Sequence, residues 1–278
     1  MKEKINDLQE IARCLRQDIF RMVHEAGDGH PGPSLSAVDL IVALYFSIMK
    51  VDPQNPGWPD RDRFILSKGH ACPALYAALA RKGYFPSGEL SGLRTLGSIL
   101  QGHPDMKRTP GVDATSGSLG NGISLGLGMA LAARLKKQDY RTYVITGDGE
   151  LEEGIVWEAA MAAKKYRAAS LTVFVDNNGL QSSGNVAEVG GLYPLKEKWE
   201  AFGWHCLEID GHDFEQVLNA AAEAKGIADR PSVILARTVK GKGIPFVEGD
   251  NSWHKRVPTA HELQEALRML GGKSCEKT

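Results

Sequence analysis

The feature that most limits the fold of this chain is a set of short apolar segments in which hydrophobic residues follow one another with little polar alternation. Five such segments occur, at residues 64–66, 143–145, 171–175, 206–209 and 233–235. A strand that is apolar on both sides needs cover on both sides, and a parallel sheet between two layers of helices provides that cover. The segments therefore predict a mainly parallel sheet inside an α/β domain.

Helical patterns separate these segments and supply the crossovers that a parallel sheet requires. Apolar residues recur at steps of three and four from Ile5 to Met22, and a second helical run covers residues 35–49, with Ser34 or Ser36 as its expected cap. Further helices are expected near 118–137, 153–167, 213–227 and 260–270, and residues 86–118 are expected to form loops around one short helix. The prediction is a single three-layer α/β domain over residues 1–278.

Composition argues against several classes of function. With 42% hydrophobic residues, 24% charged residues and a net charge of −1, the chain can bury a large core but has no strongly basic surface for nucleic acid. Apolar stretches such as residues 40–45 are short for a membrane span, and the N-terminus lacks the apolar core of a signal peptide, so no membrane contact and a cytoplasmic location are expected. Four cysteines without CxxC spacing predict ordinary thiols rather than a zinc site or disulfides: Cys14, Cys72, Cys206 and Cys275.

Two polar residues follow neighbouring predicted strands directly. Asp148 lies in GDGELEEG at residues 147–154, and Asn178 lies in DNNGLQ at residues 176–181. Ligands of open parallel sheets bind outside the carboxyl ends of the strands, and a carboxylate with a carboxamide suits Mg²⁺ that completes its shell with phosphate oxygens and water. Gly147 and Gly149 leave room for a phosphate, and the helix expected near Leu151 directs free N–H groups to it. The pair predicts a site for a metal-bound diphosphate.

Each motif alone is ambiguous, because GDG is often a turn and Asn-Asn-Gly is often a loop. Their placement behind two strands that one helix joins makes them more specific together. No GxxxxGK[ST] motif is present, and no GxGxxG follows a predicted strand. The glycines of the helical segment at 118–137 indicate either close helix packing or approach of the backbone to a ligand: Gly120, Gly122, Gly126 and Gly128.

These motifs resemble the diphosphate-binding motif of thiamine-diphosphate enzymes, and residues 10–260 resemble the N-terminal, diphosphate-binding part of transketolase. The likeness also rests on GDGHPGPSLS at 27–36, LSKGHACPALYA at 66–77, QGHPD at 101–105 and SGSLGNGIS at 116–124. It implies a thiamine-diphosphate-binding fold in which Asp148, Asn178 and the carbonyl of Leu180 hold Mg²⁺, with Ca²⁺ or Mn²⁺ as possible substitutes. It further implies a cofactor site formed by His70, Gly120, Gly149 and Glu150 besides the metal ligands.

Three histidines gain a role from the same resemblance. His30 and His103 each occur as Gly-His-Pro, in which the proline holds the histidine out of helical geometry. With His254 they are expected to orient the hydroxyls of a ketose donor and to exchange protons with it. The chain departs from the family at Lys255 and Arg256, where a glycine commonly follows the histidine. The other histidines are expected to be structural: His24, His205, His212 and His261.

The implied activity is transfer of a two-carbon ketol unit from a ketose phosphate to an aldose phosphate, with thiamine diphosphate as the electron sink. In the family a second, pyrimidine-binding domain carries the glutamate that activates the cofactor, and residues after His254 are too few for such a domain. We therefore expect a split transketolase whose partner chain carries the pyrimidine-binding and C-terminal domains, in an α2β2 complex. Glu153 and Glu158 are expected near that interface, or simply as acids at a helix start.

Two alternatives remain at this stage. The chain could be the α-subunit of a 2-oxo-acid dehydrogenase, although the paired Gly-His-Pro motifs and LSKGH favour sugar chemistry. It could also be a non-catalytic regulatory paralogue, which loss of the metal ligands would favour, but none of them is lost. The donor and acceptor sugars, including those of the pentose phosphate pathway, are not specified by these residues.

Overall fold

Five parallel strands form the centre of the protein, which was obtained as a computed structural model that describes residues 2–271 and Cys275. Together with a two-stranded hairpin, the described residues form seven strands: β1 (Arg63–Leu66), β2 (Thr142–Gly147), β3 (Leu171–Asn177), β4 (Leu180–Gln181), β5 (Gly184–Asn185), β6 (His205–Asp210) and β7 (Ser232–Arg237). The sheet order is β1-β2-β3-β7-β6, and each neighbouring pair is parallel. β4 and β5 form a separate antiparallel hairpin just after β3.

Helices connect the strands and cover the sheet. They are α1 (Lys2–Ala26), α2 (Pro31–Ala43), α3 (Cys72–Lys82), α4 (Asn121–Leu135), α5 (Gly154–Lys165), α6 (Val186–Val189), α7 (Leu195–Ala201), α8 (Phe214–Gly226) and α9 (Ala260–Leu270). A π-helical turn at Leu44–Ile48 extends α2, and short 3₁₀ turns occupy Gly69–Ala71, Ser87–Gly92, Gly149–Glu152 and Asn251–His254.

Each of the central strands places side chains into two separate cores. Val144 and Val173 pack with α4, α5 and α7 on one face of the sheet. Tyr143 and Phe174, one residue away along the same strands, pack with α1, α2, α3 and α8 on the other face. The period of two along a strand thus fills both cores, which confirms the predicted three-layer α/β domain with a parallel sheet. The predicted boundaries at residue 1 and within residues 272–274 and 276–278 lie outside the described part of the chain.

The start of α2 differs from the expectation that Ser34 or Ser36 caps it. The helix begins at Pro31, so both serines lie within its first two turns. Proline is well suited to the first helical position, because its fixed φ angle fits a helix and its missing N–H has no partner to lose there. Ser36 Oγ instead donates to Asp176 Oδ2 at 2.6 Å, which ties α2 to the end of β3.

One segment is long and apolar enough to cross a membrane by length and composition alone. It covers Pro31–Ile48, the continuous α2 and π-helical turn, and 83% of it is buried inside the protein. A core helix that is apolar all round has this character without any membrane. Its contacts with α1 and α3 in the core account for its hydrophobicity.

The prediction that all four cysteines are thiols is wrong. Cys14 of α1 and Cys275 form a disulfide across a sequence separation of 261 residues, with their Cα atoms 5.6 Å apart. Spacing along the chain could not reveal this pair, because the fold alone returns the chain after α9 to the side of α1. Cys72 and Cys206 are free thiols, as predicted.

Candidate active site

A cavity of about 470 Å³ lies where the loops after β1, β2, β3 and β7 come together. Parallel strands end at the same edge of a sheet, so residues that follow different strands meet there. Most of the residues singled out from the sequence line this cavity: His30, His70, Asp148, Gly149, Glu150, Glu153, Asn178, Leu180 and His254. The described lining does not include His103, Gly120 or Glu158.

Asp148 is a buried carboxylate at the end of β2. Its two oxygens accept hydrogen bonds from the backbone N–H groups of Gly149 at 2.8 Å and Gly179 at 2.6 Å. Burial raises the pKa of Asp148 to about 6, and the nearby carboxylate of Asp176 adds to the shift. The protein therefore holds a charge that it solvates poorly, and a bound cation would stabilise that charge.

Asn178 and Leu180 complete the oxygen set predicted for a metal. Asn178 Oδ1 accepts from the Leu180 N–H at 3.1 Å, while its amide nitrogen lies 3.4 Å from Ser36 Oγ. Gly179 between them has a φ of +77°, a backbone angle that glycine adopts without strain, and this turn lets both residues face the cavity. A carboxylate, a carboxamide and a carbonyl are hard oxygen donors of the kind that Mg²⁺ binds.

The described residues contain no group of three His, Cys, Asp or Glu side chains that could hold a metal by themselves. A cation at Asp148 therefore depends on further oxygens, which a diphosphate and water would provide. The cavity also contains a buried amide oxygen without a partner, Oε1 of Gln181. Gln181 packs so closely that a Cβ on Gly149 would come within 2.7 Å of its Cβ. The donors and the space at this edge of the sheet fit a metal-bound diphosphate.

Two lysines in the cavity were missed by the sequence analysis. Lys68 Nζ lies 2.5 Å from Asp176 Oδ2, and both side chains are buried. Burial alone would raise the pKa of Asp176, but the charge of Lys68 and hydrogen bonds from Lys68, Ser36 and Thr238 lower it below its usual value. This ion pair fixes the floor of the cavity beside Asn178, whose amide lies 3.5 Å from the other oxygen of Asp176.

Lys240 is the second of these lysines. Its Nζ contacts Asn251 Oδ1 at 2.6 Å, His254 Nδ1 at 2.9 Å and the Leu180 carbonyl at 3.3 Å. Burial and the neighbouring charge of Lys68 lower the pKa of Lys240 to about 8. A signal existed for both lysines, since Lys68 follows β1 by two residues and Lys240 follows β7 by three, the same placement that singled out Asp148.

A chain of hydrogen bonds holds the backbone next to Lys240 in place. The N–H of Val239 donates to His212 Nε2 at 2.8 Å, so His212 carries its proton on Nδ1 and donates it to Asp39 Oδ2 at 2.7 Å. Arg16 of α1 binds the same carboxylate oxygen at 2.7 Å. His212 is thus a structural residue, as expected, and it connects α1 and α2 to the loop that carries Lys240.

Three imidazole rings contact one another in the same cavity as the two lysines. The ring centroids of His30, His70 and His254 are 5.3 to 5.6 Å apart in every pairing. Burial lowers their pKa values to about 4, 2 and 3 respectively, and the charges of neighbouring cations add to the effect. The rings are therefore neutral at physiological pH and can donate or accept a hydrogen bond, and Nδ1 of His30 is buried without a partner.

His103 lies outside this cluster and does not line the cavity. Its ring packs against Gly117, where a Cβ would approach it to 3.0 Å, and Gly117 itself lines the cavity. Burial lowers the pKa of His103, and Arg94 lowers it further. The structure thus brings the three histidines chosen from the sequence to the same end of the sheet.

Glu150 and Gly120 have mainly structural contacts. The Glu150 carboxylate accepts hydrogen bonds from Ser67 Oγ and from the N–H groups of Gly120 at 2.7 Å and Gly147 at 3.0 Å. It therefore joins the loops after β1 and β2 to the start of α4. The pKa of Glu150 is raised by burial. Gly120 has a φ of +82°, and a Cβ at this position would come within 2.7 Å of Ile155 Cγ2 and 2.9 Å of Glu153 Cβ.

Two of the remaining glycines of α4 show the close helix packing that the sequence suggested. A Cβ on Gly122 would overlap Ser67 Oγ, and one on Gly126 would come within 2.7 Å of Val144 Cγ2. Both glycines allow α4 to lie close against the sheet. Gly128 has open space around it instead.

The strand ends of this parallel α/β sheet place oxygen donors, lysines and neutral histidines around one cavity, the position at which α/β domains bind phosphate-containing ligands. This chain belongs to the transketolase family, because the family described as "Transketolase, thiamine diphosphate binding domain" matches residues 6–277. The chain is thus a component of transketolase, a transferase, and carries its thiamine-diphosphate-binding domain. This assignment favours transketolase over the alternative of a 2-oxo-acid dehydrogenase subunit.

Related proteins fall into two groups by length. The 6-deoxy-6-sulfo-D-fructose transketolase subunit SqwG of a Clostridium species is 48% identical over 97% of this chain and 98% of its own length. A subunit of the apulose-4-phosphate transketolase of Phocaeicola vulgatus is 42% identical over 91% of this chain and 90% of its own length. Human transketolase is 39% identical over 96% of this chain but only 42% of its own length.

Solved transketolases have the same fold. The enzyme of Campylobacter jejuni superposes with a TM-score of 0.91 at 33% identity, over 96% of this chain and 43% of that one. The enzyme of Leishmania mexicana gives a TM-score of 0.90 at 32% identity, over 97% of this chain and 42% of that one. The chain therefore corresponds to one domain of the longer transketolases and to nearly the whole of the two bacterial subunits.

Proposed function

We propose that this chain forms the diphosphate half of a two-chain, Mg²⁺-dependent transketolase that moves a two-carbon ketol unit between anionic sugars. The observation that carries the proposal is the meeting of a metal-type oxygen set and a neutral histidine cluster in one cavity. Thiamine diphosphate, when bound, supplies the carbon nucleophile and the electron sink. The residues of this chain bind and orient the cofactor, and they hold or transfer protons beside it.

In the proposed complex, Asp148, Asn178 and the Leu180 carbonyl hold Mg²⁺, which binds the diphosphate. Lys68 and Lys240 add positive charge beside the diphosphate. Because Gly149 has no side chain, the diphosphate oxygens can approach the backbone N–H groups there. Ca²⁺ or Mn²⁺ can take the place of Mg²⁺, because the ligands are oxygens without a strict geometry of their own.

His30, His103 and His254 are proposed to bind the ketose. Because their pKa values are lowered, the rings of His30 and His103 stay neutral, and each can accept a hydrogen bond from one hydroxyl while donating one to another oxygen. Lys240 donates to Nδ1 of His254, so the proton of that ring sits on Nε2. His70 packs against both His30 and His254, which also contact each other, so the three rings support one another.

A second chain is proposed to supply the pyrimidine-binding domain, in an α2β2 complex in the cytoplasm. The relatives that match this chain end to end are named as subunits, which supports a partner. Apolar side chains exposed just before α4, on α4 and on α5 provide a surface for it: Leu119, Leu125 and Met161 are 36%, 41% and 56% exposed. Glu153 and Glu158, at the start of α5, are exposed and belong to this proposed interface.

The names of the relatives indicate the class of sugar. One of them acts on a ketose with a sulfonate group and another on a sugar phosphate. We propose an anionic ketose as the donor here as well, with the pentose phosphate pathway as one setting that provides such sugars.

The test is reconstitution of the complex with the chain that carries the pyrimidine-binding domain. We expect ketol transfer from fructose 6-phosphate or its sulfonate analogue only when both chains, Mg²⁺ and thiamine diphosphate are present. Transfer by the isolated chain would contradict the two-chain proposal. Transfer that persists in EDTA, after the cofactor has been removed and restored without metal, would contradict the proposed metal site.

A further inference from the structure

Two side chains hold the segment that carries Lys240, one on each side of that lysine. The N–H of Val239 donates to His212 Nε2 at 2.8 Å, and the carbonyl of Lys242 accepts from Arg16 Nε at 2.9 Å. Lys240 lies between these two bonds, so its backbone is fixed from both directions. Neither His212 nor Arg16 lines the cavity, so neither contacts a substrate there.

Asp39 joins the two side chains that hold the segment. Its Oδ2 accepts from His212 Nδ1 and from Arg16 Nη2, each at 2.7 Å. The side chains of Arg16, Asp39 and His212 are only 10%, 5% and 12% exposed. Burial alone would raise the pKa of Asp39, but the charge of Arg16 and the hydrogen bond from His212 lower it below its usual value. The three residues, called the clamp below, form a buried network that rigidifies its surroundings.

The backbone of the held segment fits the clamp closely. Gly243 has a φ of +96°, in the left-handed region that favours glycine, and a Cβ there would come within 2.6 Å of Arg16 Cδ. The N–H of Gly241 donates to the Gly32 carbonyl at 3.1 Å, which ties the segment to α2. A Cβ on Gly32 would lie 3.4 Å from Lys240 Cγ. The stem of the lysine therefore has little room to move.

The ammonium group of Lys240 connects two parts of the cavity. It contacts the Leu180 carbonyl at 3.3 Å and donates to His254 Nδ1 at 2.9 Å. An ammonium has no acceptor, so the ring of His254 must accept at Nδ1. A displacement of Lys240 by about 1 Å would break this bond, and misplacements of that size are enough to slow an enzyme.

We propose that Arg16, Asp39 and His212 are positioning residues, which place Lys240 and through it hold the ring of His254. This inference deepens the proposed function. The effect of the clamp on ketol transfer rests on that function, whereas the hydrogen bond between Lys240 and His254 is a property of this chain alone and can be tested without a cofactor or substrate.

The first test observes His254 directly, by NMR of the ring nitrogens in the full chain labelled with isotope-enriched histidine. His254→Gln identifies the signal, and Lys240→Met shows how Nδ1 responds when its hydrogen bond is lost. We expect His212→Ala to move the His254 signal in the same direction as Lys240→Met does, because the displaced lysine no longer reaches the ring.

The second test is a double-mutant cycle in the reconstituted two-chain enzyme, read as kcat/KM for fructose 6-phosphate. His212→Ala should lower kcat/KM about tenfold when Lys240 is present, a loss typical of residues that orient a binding group. In the background of Lys240→Met it should lower kcat/KM by less than about twofold, because the group that it positions is gone. A residue that only stabilises the fold would have the same effect in both backgrounds.

Two further variants give a rescue and a control. In His212→Gln the amide retains an acceptor for Val239 and a donor for Asp39, so kcat/KM should stay within about threefold of the wild type. His205→Ala is the matched control, because His205 also binds a carboxylate, that of Glu223 at 3.0 Å, but lies on the surface. It should change neither kcat/KM nor the His254 signal.

Circular dichroism establishes whether His212→Ala is folded. If it is not, Arg16→Lys takes its place in both tests. A lysine keeps a positive charge beside Asp39 but lacks the second donor for the Lys242 carbonyl, so it should move the His254 signal in the same direction by a smaller amount.

The outcomes separate this inference from the proposed function. An unmoved His254 signal, or equal losses of kcat/KM in the two backgrounds, would refute the positioning role while ketol transfer by the wild type stands. If the wild-type complex transfers from no ketose, the proposed function fails, and the NMR comparison still decides whether the clamp places Lys240.

Discussion

The charge of Asp148, at the end of β2, is stabilised by hydrogen bonds and destabilised by burial. Two backbone N–H groups bind its carboxylate, yet burial and Asp176 still raise its pKa to about 6. A carboxylate in this state gains much from a divalent cation, because the cation replaces the water that burial has removed. The same residue is thus poorly stabilised alone and well placed to bind metal.

The first prediction is that Asp148→Asn weakens binding of Mg²⁺ and thiamine diphosphate by about 100-fold or more, since one charged ligand is lost. Tryptophan fluorescence titration of the cofactor in the presence of Mg²⁺ measures this. Asp229→Asn, which changes an exposed aspartate beside Arg230, is the matched control and should bind as the wild type does. Equal affinity in Asp148→Asn and the wild type would remove Asp148 from the metal site.

The second prediction concerns pH. Below pH 6 a proton competes with the cation for Asp148, because the raised pKa makes the protonated form the stable one there. The apparent affinity for Mg²⁺ and cofactor should therefore be constant above about pH 7 and fall by up to tenfold per unit below about pH 6. The measurement is the same titration from pH 5 to 8, corrected for protonation of the free diphosphate. A flat profile after that correction would contradict the raised pKa.

The third prediction concerns the buried pair of Lys68 and Asp176. Lys68→Met leaves the Asp176 carboxylate buried without its cation and should lower the free energy of unfolding by about 3–5 kcal/mol. Urea unfolding measures the loss. Asp176→Asn added to Lys68→Met should restore part of it, because the uncompensated charge is then gone.

Lys196→Met is the control for that experiment. Lys196 pairs with Glu208 at 3.6 Å on the surface, where both side chains are largely exposed, so its removal should change the free energy of unfolding by less than about 1 kcal/mol. If Lys68→Met and Lys196→Met have equal effects, the buried pair does not hold the floor of the cavity.

At the scale of single elements, α4 shows why its glycines differ. It lies so close to β2 that Gly126 has no room for a Cβ next to Val144, whereas Gly128 faces open space on the same helix. Gly120 at the start of α4 needs a left-handed backbone and hydrogen-bonds to Glu150. The position of this helix is therefore coupled to the loops that form the cavity.

The fourth prediction uses that contrast within one helix. Gly126→Ala should lower the free energy of unfolding by about 1–3 kcal/mol, because the added methyl group overpacks α4 against β2. Gly128→Ala should raise it by about 0.5–1 kcal/mol, because alanine favours the helix and meets nothing. Thermal unfolding of the two variants and the wild type under identical conditions measures these changes in stability. Changes of the same sign in both variants would contradict the packing of α4 against β2.

Secondary structure was predictable from the sequence to the extent that it followed periodicity. The apolar runs identified all five strands of the sheet, and α5, α8 and α9 lie close to their expected positions. Boundaries set by local chemistry were less predictable, as at α2, where Pro31 rather than a serine begins the helix. The order β3-β7-β6 was not predictable, because which strands pair depends on helix packing rather than on any one segment.

The candidate site was predictable where a motif and a strand end coincided, as at Asp148 and Asn178. Lys240 was missed because its loop carries no such motif, although it follows a strand in the same way. The partners of His212 were also hidden, since Asp39 and Val239 are distant in sequence and only the fold joins them. The disulfide of Cys14 and Cys275 was missed for the same reason.

At the scale of the whole molecule, exposed apolar side chains lie just before α4, on α4 and on α5: Leu119, Leu125 and Met161. Leu125 lies in the half of α4 nearest the cavity, whereas Leu135 is 83% exposed at the far end of the same helix. A partner that covers the cavity would bury the first leucine and leave the second in solvent.

The fifth prediction follows from that asymmetry. Leu125→Lys should weaken the complex with the second chain by at least about tenfold, because it places a charge in an apolar contact. Leu135→Lys should leave the complex intact. Size-exclusion chromatography with light scattering measures assembly, and circular dichroism confirms that both variants are folded. Equal assembly by the two variants would place the partner elsewhere.

All five strands of the sheet point the same way, so the loops at one edge carry the residues that line the cavity, and the described loops at the other edge carry none of them. We expect the loops at the two ends of the sheet to differ in how well they tolerate amino-acid substitutions. In a library of all single substitutions, variants with changes in the amino-end loops should be lost equally under selection for activity and under selection for folding alone. Variants with changes in the carboxyl-end loops should be lost far more often under selection for activity. The orientation of the sheet thus separates the part of the chain free to diverge from the part that keeps its chemistry.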